Sequence, residues 1–142
     1  MELHVHDKLR KILKSPKASI GASEASLQKL MAGLGHRLPD DYLDFMRQWN
    51  GYNGDVGEYG SVNIWAVEEI LPANEANNFR EWIPGLVLFA STGGGDFYAF
   101  DMRHDPLKVV AIPSIPLDIQ YAVEVGGSFI GFLEHLAQSQ SP

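Results

Sequence analysis

The residues best suited to chemistry fall in a few short stretches. Thr92-Gly-Gly-Gly-Asp96 stacks three glycines, whose backbone amides can in principle cradle a phosphate. A P-loop also requires a Gly-Lys-Ser/Thr ending and a helix behind it, whereas here Asp96 brings negative charge and residues 97–101 read as a strand. The stretch is therefore expected to be a turn between strands, where glycine supplies positive φ without steric cost. Asp101-Met-Arg-His-Asp105 gathers two carboxylates and an imidazole at a strand end, a set that could position a water or an ion but reads first as a polar turn. His4 and His6 share a face only if the chain there is extended. His36, His104 and His135 stand alone, and no two histidines have the i, i+4 spacing of a helical zinc site. No Gly-x-Ser-x-Gly marks a strained nucleophile turn. Cysteine is absent, which removes disulfides, thiolate metal sites and thiol nucleophiles together. The expectation is a protein that is not an enzyme, with no catalytic residue, no metal site and no cofactor.

The elements that must position these residues can be read from periodicity. Leu3, Val5, Leu9, Ile12 and Leu13 form a short apolar stripe among Lys8, Arg10, Lys11 and Lys14, a brief helix stopped at Ser15-Pro16. Ser23 can cap a helix bearing Leu27, Leu30, Met31 and Leu34, with Gly33 and Gly35 as left-handed residues that end it. The next helix opens at Pro39, places Asp40 and Asp41 in its first turn and lines up Tyr42, Phe45, Met46 and Trp49 on one face before Asn50-Gly51. Tyr52 to Gly60 reads as a loop, and residues 61–65 as a half-buried strand around Val62 and Ile64. One helical turn over Ala66–Leu71, broken by Pro72, and a second short helix over Asn74–Trp82 are expected next. Leu86–Ala90 and Phe97–Asp101 flank the glycine turn as a central antiparallel hairpin, Lys108–Ile112 is a further strand, and Ser128 caps a last helix carrying Phe129, Phe132, Leu133 and Leu136. Helices, then strands, then a helix argue for an α+β fold, its helices packed on an antiparallel-rich sheet. Residues 20–138 are expected to form a single domain, with 1–19 a helical extension and 139–142 a frayed tail.

Charge points to a class of partner. The chain of 142 residues carries a formal charge of −7, but residues 1–37 hold seven basic and three acidic side chains while 38–142 hold four basic and fifteen acidic. So acidic a body disfavours nucleic acid and anionic membrane and favours a basic protein. Lys8, Arg10, Lys11, Lys14 and Lys17 lack the interleaved aromatics of a nucleic-acid site and read as a solvated face. Asp44, Asp55 and Glu58 are the candidate partner-binding residues: the helix dipole accounts for Asp40 and Asp41 and leaves these three unexplained. Trp49, Trp65 and Trp82 are expected in the core or at its rim, and an exposed one would be a natural interface anchor. With no apolar leader and no stretch approaching the length of a membrane span, a cytoplasmic location is expected. Oligomeric state is left open between a monomer and a weak dimer.

Leu38-Pro-Asp-Asp-Tyr-Leu-Asp-Phe-Met-Arg-Gln-Trp-Asn-Gly51 resembles the opening signature of the SUKH superfamily. Three further stretches are similar to that family in the same order: the Gly85–Asp101 hairpin, Val109-Val-Ala-Ile-Pro113, and the closing helix Ser128–Leu136. The resemblance implies an α+β domain that works by binding, most often as an immunity protein neutralising a secreted polymorphic toxin of nuclease or deaminase type. The alternative it implies is an intracellular adaptor of the cell-wall-regulator kind, and a small-ligand sensor using the hairpin loop is a third possibility. Leu38, Pro39, Phe45, Asn50, Gly51, Gly93, Gly94, Phe129 and Leu133 match as fold determinants, with no catalytic motif to carry over. Gly126-Gly127 and Gly131 depart from the family pattern and imply a late or weak start to the last helix.

Overall fold

A computed structural model of the chain describes residues 13, 20–57, 60–76 and 79–138. The expected N-terminal helix, the tail and Glu58 fall outside the described residues, apart from Leu13. That residue is buried and forms an isolated antiparallel bridge with Val56, so at this point the chain is paired as a strand.

From residue 20 onward two helices come first. α1 (Glu24–Leu34) is capped by the Ser23 hydroxyl, which accepts from the Ser26 amide, and ends at Gly35 with φ +75°. Gly33 is not part of that stop: it lies inside the helix, and a β-carbon there would come within 2.6 Å of the Leu71 side chain, so glycine serves close packing. α2 (Asp40–Trp49) follows Pro39, which sits at the cap position just outside it, and ends at Asn50, with φ +47°. Its inward face is the expected Tyr42, Phe45, Met46 and Trp49, with Leu43 added.

Six strands, β1 (Tyr52–Val56), β2 (Gly60–Ile64), β3 (Leu86–Ser91), β4 (Phe97–Asp101), β5 (Lys108–Ile112) and β6 (Val123–Gly126), form one sheet in sequence order, every pair antiparallel. The β3–β4 hairpin lies at its centre, as the glycine turn implied. Two strands went unread. β1 occupies the expected loop: its Asn, Gly and Asp are turn formers, but Tyr52 and Val56 are buried and all five residues are in register with β2. β6 emerges from the poorly patterned stretch after Pro116, preceded by a 3₁₀ turn at Ile119–Tyr121.

The segment between β2 and β3 also differs. α3 (Val67–Glu75) runs through Pro72, and α4 (Phe79–Trp82) is a separate single turn. Proline removes one amide donor, whose partner would be the Glu68 carbonyl; Glu68 and Pro72 are both exposed, so water can take its place, while Val67, Ile70 and Asn74 hold the other face in the core. α5 (Phe129–Gln138) closes the chain, starting directly after Ser128 as read. Gly126 permits the strand before it to touch the helix, because a β-carbon there would lie 2.7 Å from the Phe132 amide nitrogen. The resulting architecture is α+β, with helices packed on a curled antiparallel sheet.

The two faces of the sheet are covered unequally. On the inner face Val87, Phe89, Tyr98, Phe100 and Val109 join the buried residues of α1, α2 and α5 in the main core. On the outer face Leu86, Leu88, Ala99, Val110 and Ile112 form a smaller cluster with Ile83, against which, among the described residues, Trp65, Phe79, Phe97 and the 117–122 segment pack. Sequence reading anticipated the first layer and not the second.

Candidate functional site

Two of the polar clusters singled out by sequence, the glycine turn and Asp101–Asp105, contain hydrogen bonds that hold the fold. In the glycine turn the Thr92 hydroxyl accepts from the amides of Gly94 and Asp96, both at 3.1 Å, while the Thr92 amide donates to the Asp96 carbonyl at 2.9 Å. Two amides that could have faced a phosphate are thus turned inward onto a side chain, which fits the turn reading. At the far end of β4, Asp101 is buried and receives both arms of Arg103, Nε on Oδ1 at 2.9 Å and Nη2 on Oδ2 at 2.8 Å, together with the Arg103 amide. His104 Nε2 stands 3.5 Å from the same carboxylate. The side-chain bonds from Arg103 hold the Asp101 carboxyl below the usual carboxylate range. No group of three His, Asp or Glu side chains among the described residues is placed to hold a metal ion.

Two polar residues do more than sequence reading assigned to them. Asn74 is buried on α3 beside the point where β3 loses register with β4 between Leu88 and Ala90. Its Nδ2 donates to the carbonyls of Ile70 (2.8 Å) and Leu88 (2.9 Å), and its Oδ1 accepts from the Leu88 amide at 2.8 Å. β2 pairs with β3 only at Asn63–Ser91 and Ile64–Ala90, so Asn74 stands in for a strand neighbour that has run out. Asp41 belongs to the first turn of α2, yet its Oδ2 accepts from the Ile130 amide at 3.0 Å, capping α5 alongside Ser128, whose hydroxyl accepts from Gly131 at 2.9 Å. Composition around these positions carries no signal, since the partners lie 14 and 89 residues away.

The predicted acidic partner face is split between elements. Asp44 lies on the outward side of α2, where Arg47 Nη1 approaches it at 2.7 Å and the same guanidinium also binds Glu24 of α1. Its charge is therefore shared with a cation. Asp55 is exposed on β1, opposite Ser61, and Glu58 is outside the described residues. No helix among the described residues is long and apolar enough to cross a membrane.

The three tryptophans divide as burial falls. Trp49 is buried, Trp65 is half-buried, and Trp82 on α4 is 62% exposed. Trp82 stands at a groove on the outer face of the sheet with Phe79, Phe97, Ser114, Ile115 and Leu117. Phe97 meets Phe79 edge-on at 5.7 Å and Trp65 at 6.0 Å, so one continuous aromatic row passes beneath the groove.

No curated protein matches the chain. Residues 21–135, which span both helical motifs, the central hairpin and almost all of α5, match the SMI1/KNR4 family (SUKH-1). The chain belongs to that family, which covers immunity proteins and cell-wall regulators.

Proposed function

We propose that this protein is a non-catalytic, cytoplasmic binding protein that neutralises a cognate secreted toxin, of nuclease or deaminase type, by covering its active site or substrate groove. The observation that carries this reading is the charge of the body: residues 38–142 hold fifteen acidic and four basic side chains on the fold of a family that includes immunity proteins. A toxin that handles nucleic acid must present a basic groove to phosphate, and an acidic inhibitor draws on the same field. Asp44, Asp55 and Glu58 are proposed to contribute to this attraction. The engagement of Thr92 and Asp101 in structural hydrogen bonds supports a turn and a structural ion pair at these two positions over a phosphate cradle or a catalytic carboxylate.

The test is co-expression. A large secreted protein ending in a small basic domain is expected to be encoded beside this chain, and that domain, expressed in a host cell, should be lethal alone and tolerated when this chain accompanies it. Death in both cases, combined with recovery of the same host proteins by the chain with or without the domain, would establish the adaptor role instead.

A further inference from the structure

We propose that the groove between α4 and the 114–117 segment, on the outer face of the sheet, docks a partner-protein segment presenting an apolar or aromatic side chain between lysines or arginines. The inference rests on the reading of this chain as a binding protein, and it assigns the surface that this reading leaves open.

The apolar half of the argument is the groove itself. It is an open groove of about 510 Å³, and its lining residues Phe79, Phe97 and Leu117 pack against the outer cluster. Trp82 and Ile115 border it at 62% and 89% exposure. Large apolar side chains left in water beside an aromatic floor are the composition of interface anchor pockets.

Charge selects the occupant. Glu81 precedes the exposed Trp82 and Asp118, which accepts from the Gln120 amide and side chain, follows Leu117, so two carboxylates lie within one residue of the groove lining, while Asp96 is turned toward Tyr98 on the inner face. Arg80, next to Phe79, is directed elsewhere, its Nη2 donating to the Gly33 carbonyl at 3.1 Å, and Arg103 and Lys108 lie at the opposite end of β4 and β5, bound to Asp101 and Glu124. Two carboxylates beside an apolar floor, on a chain of formal charge −7, complement a basic segment with an apolar centre. A second copy of this chain would bring the same carboxylates and a formal charge of −7 to the contact, and nucleic acid or an anionic membrane would meet the same repulsion.

The experiment uses the full chain labelled with ¹⁵N. Its probe is a capped hexapeptide with Leu-Trp between two pairs of lysines, and the controls carry glutamates in place of the lysines or Ser-Ser in place of Leu-Trp. The readout is the Trp82 indole N–H and the amides of Ile115 and Leu117, with the Trp49 indole as internal reference. Saturable shifts at Trp82, Ile115 and Leu117 with the lysine peptide are expected, with both controls at least tenfold weaker. The exposed-site double variant Trp82→Ala/Ile115→Ser should weaken binding at least tenfold while the remaining spectrum stays folded. The proposal is overturned by shifts that do not saturate, by equal binding of the glutamate peptide, by full retention of binding in the double variant, or by concentration-dependent shifts of these residues without peptide, which would assign the groove to a second copy. Failure here leaves toxin neutralisation standing if co-expression still protects, whereas loss of protection with intact peptide binding removes the toxin and keeps the groove.

Discussion

The replacement Tyr42→Phe isolates a single buried hydroxyl. Tyr42 is 0% exposed, and its hydroxyl finds no hydrogen-bond partner among the described residues. Its ring is held edge-on by Phe100 at 5.0 Å, Phe129 at 5.3 Å and Phe89 at 5.8 Å, contacts that phenylalanine keeps unchanged. Leaving a buried donor unpaired costs about 1–3 kcal/mol, so removing only the oxygen should stabilise the protein by about 1–2 kcal/mol. For a chain of this size that corresponds to an increase in Tm of about 3–7 °C. Urea unfolding followed by circular dichroism should show a higher midpoint with an unchanged slope. Alkaline pH supplies an independent arm. Burial raises the Tyr42 phenol well above its ordinary value, so above pH about 10 the unfolded chain loses this proton first and wild-type stability falls. The advantage of Tyr42→Phe should therefore widen as pH rises past that point. A variant less stable than wild type at neutral pH would show that the hydroxyl has a partner, such as an enclosed water, and would refute the reasoning.

Asn74→Ala leaves the Leu88 amide and carbonyl without their side-chain partner in the buried sheet, and a loss of about 2–4 kcal/mol is expected in urea titrations; a loss below 1 kcal/mol would mean that the strand repairs itself. Asp41→Ala should cost about 1–2 kcal/mol and should increase amide exchange at Ile130 in α5 more than at residues within α2, as removal of a cap between helices requires. Because Arg103 lowers the folded-state pKa of Asp101, this pair stabilises the protein above the ordinary carboxylate value, about pH 4, and the contribution fades as pH falls below it. The stability gap between wild type and Arg103→Gln should accordingly be constant at neutral pH and shrink under acid, and a gap independent of pH would contradict it. Asp44→Asn, Asp55→Asn and Glu58→Gln combined should slow association with a basic toxin several-fold at low salt with little change in dissociation; an unchanged association rate removes this surface from the interaction.

The parts of the fold legible in the sequence are those whose signals are local. α2 could be read because its apolar period, its proline start and the Asn50-Gly51 stop all lie within a few residues of one another. What was missed is stabilised by pairing and burial that residue type does not announce. In β1, Gly54 lowers strand propensity, yet a β-carbon there would lie 2.9 Å from the Tyr52 hydroxyl, which itself donates to the Asp55 carbonyl. The strand exists because its pairing with β2 and the burial of Tyr52 and Val56 outweigh turn-forming composition. Asn50 shows the same limit: its type announced a helix end, but its side chain also accepts from the Val67 amide at 2.8 Å and so starts α3. For the candidate site, the conditional expectation for an exposed tryptophan needed only the fold to choose among three, and the choice is Trp82. Ile115, bounded by Pro113 and Pro116, carried no periodic pattern that could have placed it at the groove.

Steering and anchoring place different demands on a surface, and the two proposed roles fall on different parts of this fold. Coulomb attraction acts over a Debye length of about 8 Å at physiological salt, so carboxylates on α2 and β1 can accelerate encounter without touching the partner at the final contact. Dissociation is governed instead by a few desolvated side chains, which require an apolar recess with an unfilled position. The inner face of the sheet cannot provide one, because Phe89, Phe100, Phe129 and Phe132 already close it at 0% exposure. The outer face can, since its cluster is covered by one turn of helix and an irregular segment, and substitutions at Trp82 or Ile115 leave the buried aromatic rings in place. Charge variants on α2 and β1 should therefore change association and its salt dependence, while Trp82→Ala and Ile115→Ser should change dissociation alone. If both sets instead altered the same rate constant, steering and anchoring would have to share one contact surface.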